Sequence, residues 1–156
     1  MSDAGVTLLH AMRSVIFTPA DRPERFSKAI ASGADAIILD WEDGVTAAAK
    51  EYAREAALAF FAGKDRSRPA GLRINRLTTT VGLLDLLALG WTEVLPDFIA
   101  LPKVESAAEI QIVRAQLSAY DPVPPIVAFI ESAAGLEQAA ALPAPDTPIP
   151  SAPTPP

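Results

Sequence analysis

Three carboxylates crowd one short stretch of this chain, Leu39-Asp40-Trp41-Glu42-Asp43-Gly44. Alternation along an extended backbone puts Asp40 and Glu42 on one side, Trp41 and Asp43 on the other. Like charges at that spacing repel and raise at least one carboxyl pKa unless a cation or donor compensates. Acid/base work or water-mediated metal binding fits such a group. A solvated loop whose acids favour the next helix N-terminus fits it equally. Arg73, between Leu72 and Ile74, is costly inside a strand unless it meets an anion. Its planar fork suits a substrate carboxylate, and a buried pair with one of the acids at 40–43 is the alternative. Lys103 (Leu101-Pro102-Lys103-Val104) suits a phosphate or a Schiff base, although an exposed strand-end lysine is preferred to the imine. Glu105 is most simply an acid beside the helix that Ser106 caps. Glu131 follows an apolar run and precedes Ser132-Ala133-Ala134-Gly135. It reads as a hard-metal ligand or base at the mouth of a barrel, or as an acid complementing a helix dipole. Weak singly, these signals gain from convergence on one rim.

The elements that must deliver these side chains are legible as five short apolar runs, 13–20, 36–43, 71–76, 98–104 and 126–132, each ending in polar or charged residues. An amphipathic stretch follows each of the first four, which is the rhythm of βα units whose active sites gather at strand C-termini. The run 36–39 is apolar throughout, as expected for a strand buried on both faces of a parallel sheet. Asp21-Arg22-Pro23-Glu24 predicts an N-cap with Glu three residues on. Thr46 predicts a cap for a helix over 47–62 that Gly63 ends. The threonines at 78–80 introduce a leucine-rich helix, and Ser106-Ala107-Ala108-Glu109 is a capping box. A fifth helix after Ser132 stops at Pro143. Residues 143–156 are proline-rich and predicted to be an extended, disordered tail. The domain plan is therefore a lead-in over 1–12, an α/β domain over 13–142, and the tail. Either an open doubly wound sheet or part of a (β/α)8 barrel satisfies this rhythm. The first strand runs into FTPADRPE without a glycine-rich phosphate loop, which weakens a dinucleotide-binding sheet.

Composition narrows the chemistry. The 156 residues are 50% hydrophobic and 21% charged, ordinary for a globular domain. A formal net charge of −6 with scattered Lys and Arg argues against nucleic acid and against an anionic membrane surface. With no cysteine there is no disulfide framework or thiolate metal site. The single histidine, His10, precedes the first strand, so a Ser-His-Asp triad or a multi-histidine centre is out of reach within one chain. Carboxylates would have to hold any metal, which points to Mg²⁺ or Mn²⁺. The N-terminus lacks the basic region of a signal peptide and no apolar stretch is long enough to span a bilayer, so a cytoplasmic location is expected.

Several strings in this chain are similar to those of one family. They are Arg13-Ser14-Val15-Ile16-Phe17, Asp21-Arg22-Pro23-Glu24-Arg25-Phe26, Gly33-Ala34-Asp35-Ala36-Ile37-Ile38-Leu39-Asp40-Trp41-Glu42-Asp43, Arg73-Ile74-Asn75, Leu101-Pro102-Lys103-Val104-Glu105-Ser106 and Ile130-Glu131-Ser132-Ala133-Ala134-Gly135. In order and spacing the chain resembles the citrate lyase β-subunit family, the citryl-CoA lyase branch of the aldolase/citrate lyase TIM barrels. The resemblance implies a partial (β/α)8 barrel of about five βα units, C-terminally truncated. It implies a Mg²⁺- (or Mn²⁺-) dependent carbon–carbon lyase acting on citryl-CoA, malyl-CoA or a related hydroxy acid. By the same resemblance Glu131 is one metal ligand, Arg73 grips the keto-acid carboxylate, and Asp43 is the acid/base group. Asp40 and Glu42 organise the metal's water shell, and Arg22, Arg25 and Lys103 are candidates for the CoA phosphates. The family's sixth strand brings a Gly-x-Glu-Asp motif whose Asp is the second metal ligand. Nothing here matches it, Asp146 in the tail being no substitute, and Trp41 stands where the family usually has an aliphatic residue. The expected partners are an acyl-CoA or hydroxy-acid substrate and a second copy or another barrel subunit. A chain impaired in catalysis, a non-catalytic CoA- or carboxylate-binding protein, and the remnant of an interrupted gene are the alternatives.

Overall fold

The computed structural model describes residues 9, 12–63 and 67–142. His10, Asp146 and the proline-rich 143–156 lie outside the described residues. Five parallel strands, β1 (Val15–Pro19), β2 (Ala36–Asp40), β3 (Ala70–Arg73), β4 (Phe98–Leu101) and β5 (Ile126–Ala128), form one sheet. Between and after them come α1 (Phe26–Ile30), α2 (Lys50–Ala62), α3 (Thr80–Gly90), α4 (Ala107–Gln116) and α5 (Ala133–Gln138).

Strand order in the sheet is β1-β2-β3-β4-β5, the order of the sequence. That order decides between the two architectures. A doubly wound sheet reverses direction at a switch point, whereas right-handed crossovers that always step the same way place every helix on one face. The packing agrees. Ile37, Leu39, Leu72, Ile99 and Leu101 share a core with Phe26, Ala53, Ala57, Phe61, Leu86, Leu89, Ile110 and Val113 from the helices. Alternate residues Ala36, Ile38, Phe98 and Ala100 form a second cluster with Leu9, Met12, Val127 and Phe129, to which none of α1–α5 contributes. Although β1 and β5 are four steps apart, the rings of Phe17 and Phe129 meet edge to face at 6.0 Å. The sheet is curled into part of a (β/α)8 barrel, and its inner face is the lumen side.

Register then places the chemistry. Pro19, Asp40, Arg73, Ala100 and Val127 are successive cross-strand partners, so all five lie on the inner face at the strand C-termini. One layer below, Gly71 pairs with Phe98, whose ring lies against the glycine Cα so closely that a Cβ would strike it.

Two helix starts differ from expectation. Asp21 is not a cap: the chain enters a short 3-10 turn, Pro23–Arg25, with Arg22 at its N-cap position and no side-chain cap bond. Thr46 also makes no cap bond, because Ala47–Ala49 is a 3-10 turn and the α-helix begins only at Lys50. The other start signals hold. Thr79 Oγ1 accepts from Gly82 N at 3.1 Å, Ser132 Oγ from Gly135 N at 3.0 Å, and Glu109 Oε1 from Ser106 N at 3.1 Å.

Candidate functional site

Asp40 and Arg73, register partners on neighbouring strands, form a two-pronged ion pair. Arg73 Nε donates to Asp40 Oδ1 and Nη2 to Oδ2, both at 2.7 Å. Asp40 also accepts the backbone amides of Glu42 (2.8 Å) and Gly44 (2.9 Å). Burial alone would raise its pKa, but the Arg73 fork and these two amides carry it below the usual aspartate range. Arg73 continues to Glu42, Nη1 to Oε2 at 3.1 Å, and its guanidinium lies over the Phe17 ring at 4.8 Å. The hydrogen bonds to Asp40 lead in holding the Arg73 pKa up. Of the two sequence readings of Arg73, pairing with a strand-2 acid is realised. Second hydrogens on Nη1 and Nη2 remain for a further carboxylate.

Glu42 is buried and faces two cations, Arg73 and Lys103. Lys103 Nζ donates to its Oε1 at 2.7 Å and reaches Asp43 at 3.3 Å. Desolvation nonetheless prevails and raises the Glu42 pKa, against the pull of Lys103 and Arg73. Its Oε2 has the Arg73 ion pair but no well-formed hydrogen bond. Lys103, read in the sequence as a phosphate contact or, in preference to an imine, an exposed strand-end lysine, is half-buried and ion-paired; its φ of 51° lies in the left-handed region that side chains rarely adopt. The Glu42 hydrogen bond leads in raising the lysine pKa. Strict alternation would have set Asp43 away from Glu42; because β2 ends at Asp40, the chain turns and both reach Lys103.

A second set of side chains went unnoticed in the sequence. Lys50 Nζ, from the first turn of α2, donates to the carbonyl oxygens of Trp41 and Glu42 (2.6 Å to the latter) and to Asn75 Oδ1 (2.8 Å). Asn75 Nδ2 donates to the same Trp41 carbonyl at 2.8 Å and to Asp85 Oδ2 at 2.6 Å. Asp85, fully buried on α3, takes Arg54 Nε at 2.7 Å. The available signal was Asp85 itself, a lone acid in the apolar string LLDLLALG, since a buried acid needs a partner. On the same rim Arg76 Nη2 pairs with Glu105 Oε2, and Glu105 Oε1 accepts from Ser132 Oγ at 2.8 Å. Glu105 thus ties the ends of three strands together rather than merely adjoining a helix.

Not every expected residue joins. Glu131 is exposed beyond β5, and no described hydrogen bond or ion pair connects it to Arg73 or Asp43. Arg22 and Arg25 are exposed at the β1 end, Arg22 beside Asp21 at 3.7 Å. Among the described residues no group of three or more His, Cys, Asp or Glu side chains could hold a metal ion. Asp40 is saturated by Arg73 and two amides, and Glu42 and Asp43 face Lys103, so the donor set does not fit a complete divalent-cation site.

The comparisons with known proteins point one way. The family described as HpcH/HpaI aldolase/citrate lyase matches residues 13–147. A citrate lyase subunit beta-like protein of Mycobacterium tuberculosis (strain ATCC 25618 / H37Rv) is 40% identical over 131 residues, 84% of this chain and 43% of that protein. A (3S)-malyl-CoA thioesterase of Cereibacter sphaeroides (strain ATCC 17025 / ATH 2.4.3) is 33% identical over 132 residues, 84% of this chain and 44% of that one. The solved citrate lyase beta subunit of M. tuberculosis, complexed with oxaloacetate and magnesium, is 39% identical with a TM-score of 0.65; the match covers 88% of this chain and 56% of that one. The chain thus spans less than half the length of these curated relatives.

Proposed function

The chain belongs to the HpcH/HpaI aldolase/citrate lyase family, and on that premise we propose that residues 13–142 carry the carboxylate-binding side of a carbon–carbon lyase site. The proposed substrate is a β-hydroxyacyl-CoA: citryl-CoA, giving acetyl-CoA and oxaloacetate, or a relative such as malyl-CoA. One observation carries the reading. A guanidinium stands on the lumen face at the strand C-termini, braced by Asp40 and Glu42, with donors to spare. Such a fork takes the keto-acid carboxylate in two bonds and fixes the hydroxyl-bearing carbon beside it. Cleavage removes the hydroxyl proton, breaks the bond from that carbon to the thioester α-carbon, leaves the carbon as a carbonyl (a ketone from citryl-CoA, an aldehyde from malyl-CoA), and returns a proton to the departing thioester enolate. Asp43, exposed at the rim, is proposed to move that proton, and Arg22, Arg25 and Lys103 to meet the CoA phosphates. Of these three cations, Lys103 already meets Glu42 and Asp43.

Magnesium, or manganese in its place, with Glu131 as ligand and the waters facing Asp40 and Glu42, was implied by resemblance. The described acids do not complete that site. This favours a second reading in which the chain binds the keto acid or CoA ester without turning it over. Association with a second copy or another barrel subunit, in a cytoplasmic setting, belongs to the same proposal; the exposed apolar face of β1 supports it.

The test pairs an assay with a titration. With excess Mg²⁺, this chain is expected to show no measurable cleavage of citryl-CoA or malyl-CoA. Calorimetry is expected to detect oxaloacetate binding that Arg73→Met abolishes. Turnover lost in Glu131→Ala would overturn the expected inactivity and the non-catalytic reading with it, and oxaloacetate binding unaffected by Arg73→Met would overturn the assignment of the fork.

A further inference from the structure

Lys50 has no part in the chemistry above, yet its ammonium is among the most fully engaged groups in the protein. Its three acceptors are the Trp41 carbonyl, the Glu42 carbonyl and Asn75 Oδ1, which match the three hydrogens an ammonium has. Two successive carbonyls rarely converge on one point unless a cation gathers them. The amides of the same turn look the other way, Glu42 N and Gly44 N donating to the two oxygens of Asp40. Residues 41–44 are therefore clamped between a cation on their carbonyls and an anion on their amides. The cation is itself located: Asn75 is oriented by Asp85, and Asp85 is held by Arg54.

We propose that Lys50 is a positioning residue, which fixes the 41–44 turn and thereby the aim of Asp40 on Arg73. Its effect on ligand rests on the function proposed above; its effect on the turn does not. Without the ammonium the Glu42 carbonyl keeps only the Val45 amide and the Trp41 carbonyl keeps only Asn75. The turn then relaxes, its amides leave Asp40, and the carboxylate is free to rotate away from the fork.

Amide hydrogen exchange reads the turn directly. Lys50→Met is expected to speed exchange at Glu42 and Gly44 by roughly tenfold or more while Ile38 and Leu39 in β2 change less than about twofold, with Lys50→Arg restoring protection. Unchanged exchange at Glu42 and Gly44, or an equal rise along β2, overturns the proposal, the latter because it marks a merely structural lysine. In the same variants the oxaloacetate dissociation constant is expected to rise about tenfold in Lys50→Met. Wild-type protein that fails to bind oxaloacetate defeats the functional reading and leaves the exchange result standing. If Lys50→Met does not fold, ¹⁵N spectra of the unaltered chain decide: slowly exchanging Lys50 ammonium protons coupled to the Trp41 and Glu42 carbonyls support the clamp, and an ammonium exchanging like a solvated lysine overturns it.

Discussion

Asp40 and Glu42, two residues apart, respond to the fold in opposite senses. Asp40 is depressed by its partners, so its contribution to stability is present above the ordinary aspartate pKa and fades as pH falls through the lowered value. Glu42 is raised by burial, so protonating it in the folded state relieves a penalty and works the other way. Asp40→Asn removes one pole of a nearly buried pair and leaves Arg73 leaning on Glu42 alone; a loss of about 3 kcal/mol is expected. Urea melts at neutral pH check that figure. Repeating them in steps toward acid should show the variant's deficit shrinking as wild-type Asp40 protonates, and a constant deficit would contradict the assignment. The residue types at this site were legible in the sequence, but their pairing was not. Whether Arg73 met a ligand or Asp40 depended on two strands aligning residues 33 apart, which no local pattern encodes. Lys103 was singled out in the sequence but its pairing with Glu42 and Asp43 was not, since it sits on a left-handed backbone conformation that its residue type disfavours.

The strands were found because apolar runs of that length, cut by polar residues, have little else to be. Helix starts fared worse where a 3-10 turn came first: Asp21 and Thr46 carry the right oxygen, yet the first α-helical amides are several residues away. Strand order needed the structure, because alternating β and α patterns are identical in a barrel and in a doubly wound sheet until the crossovers are traced. One element-level dependence is sharp. β3 leaves room for the Phe98 ring only because position 71 lacks a Cβ. Gly71→Ala is expected to push that buried ring into Ile38 and Ala100, costing about 1–3 kcal/mol by overpacking. Thermal or urea unfolding would measure it, and restoration by a second change, Phe98→Leu, would confirm the cause.

At the scale of the molecule, α1–α5 cover the outer core, and among the described residues none of them covers the lumen face. Val15, Ile16 and Phe17 on β1 are 40%, 37% and 41% exposed, and no charged residue interrupts that strand. An uncharged parallel edge of this kind pairs readily with another chain. Light scattering coupled to size exclusion is expected to give broad oligomers for this polypeptide, and a sharp monomer peak with a cooperative melt would contradict that. The consecutive strand order also bears on how the protein is made. Each new strand finds its only required neighbour already emerged from the ribosome, so the sheet can grow by accretion with short chain closures and no waiting for a distant partner. Arg73 meets Asp40 on the second such addition, which places assembly of the acid-and-guanidinium pair before β4 and β5 join the sheet.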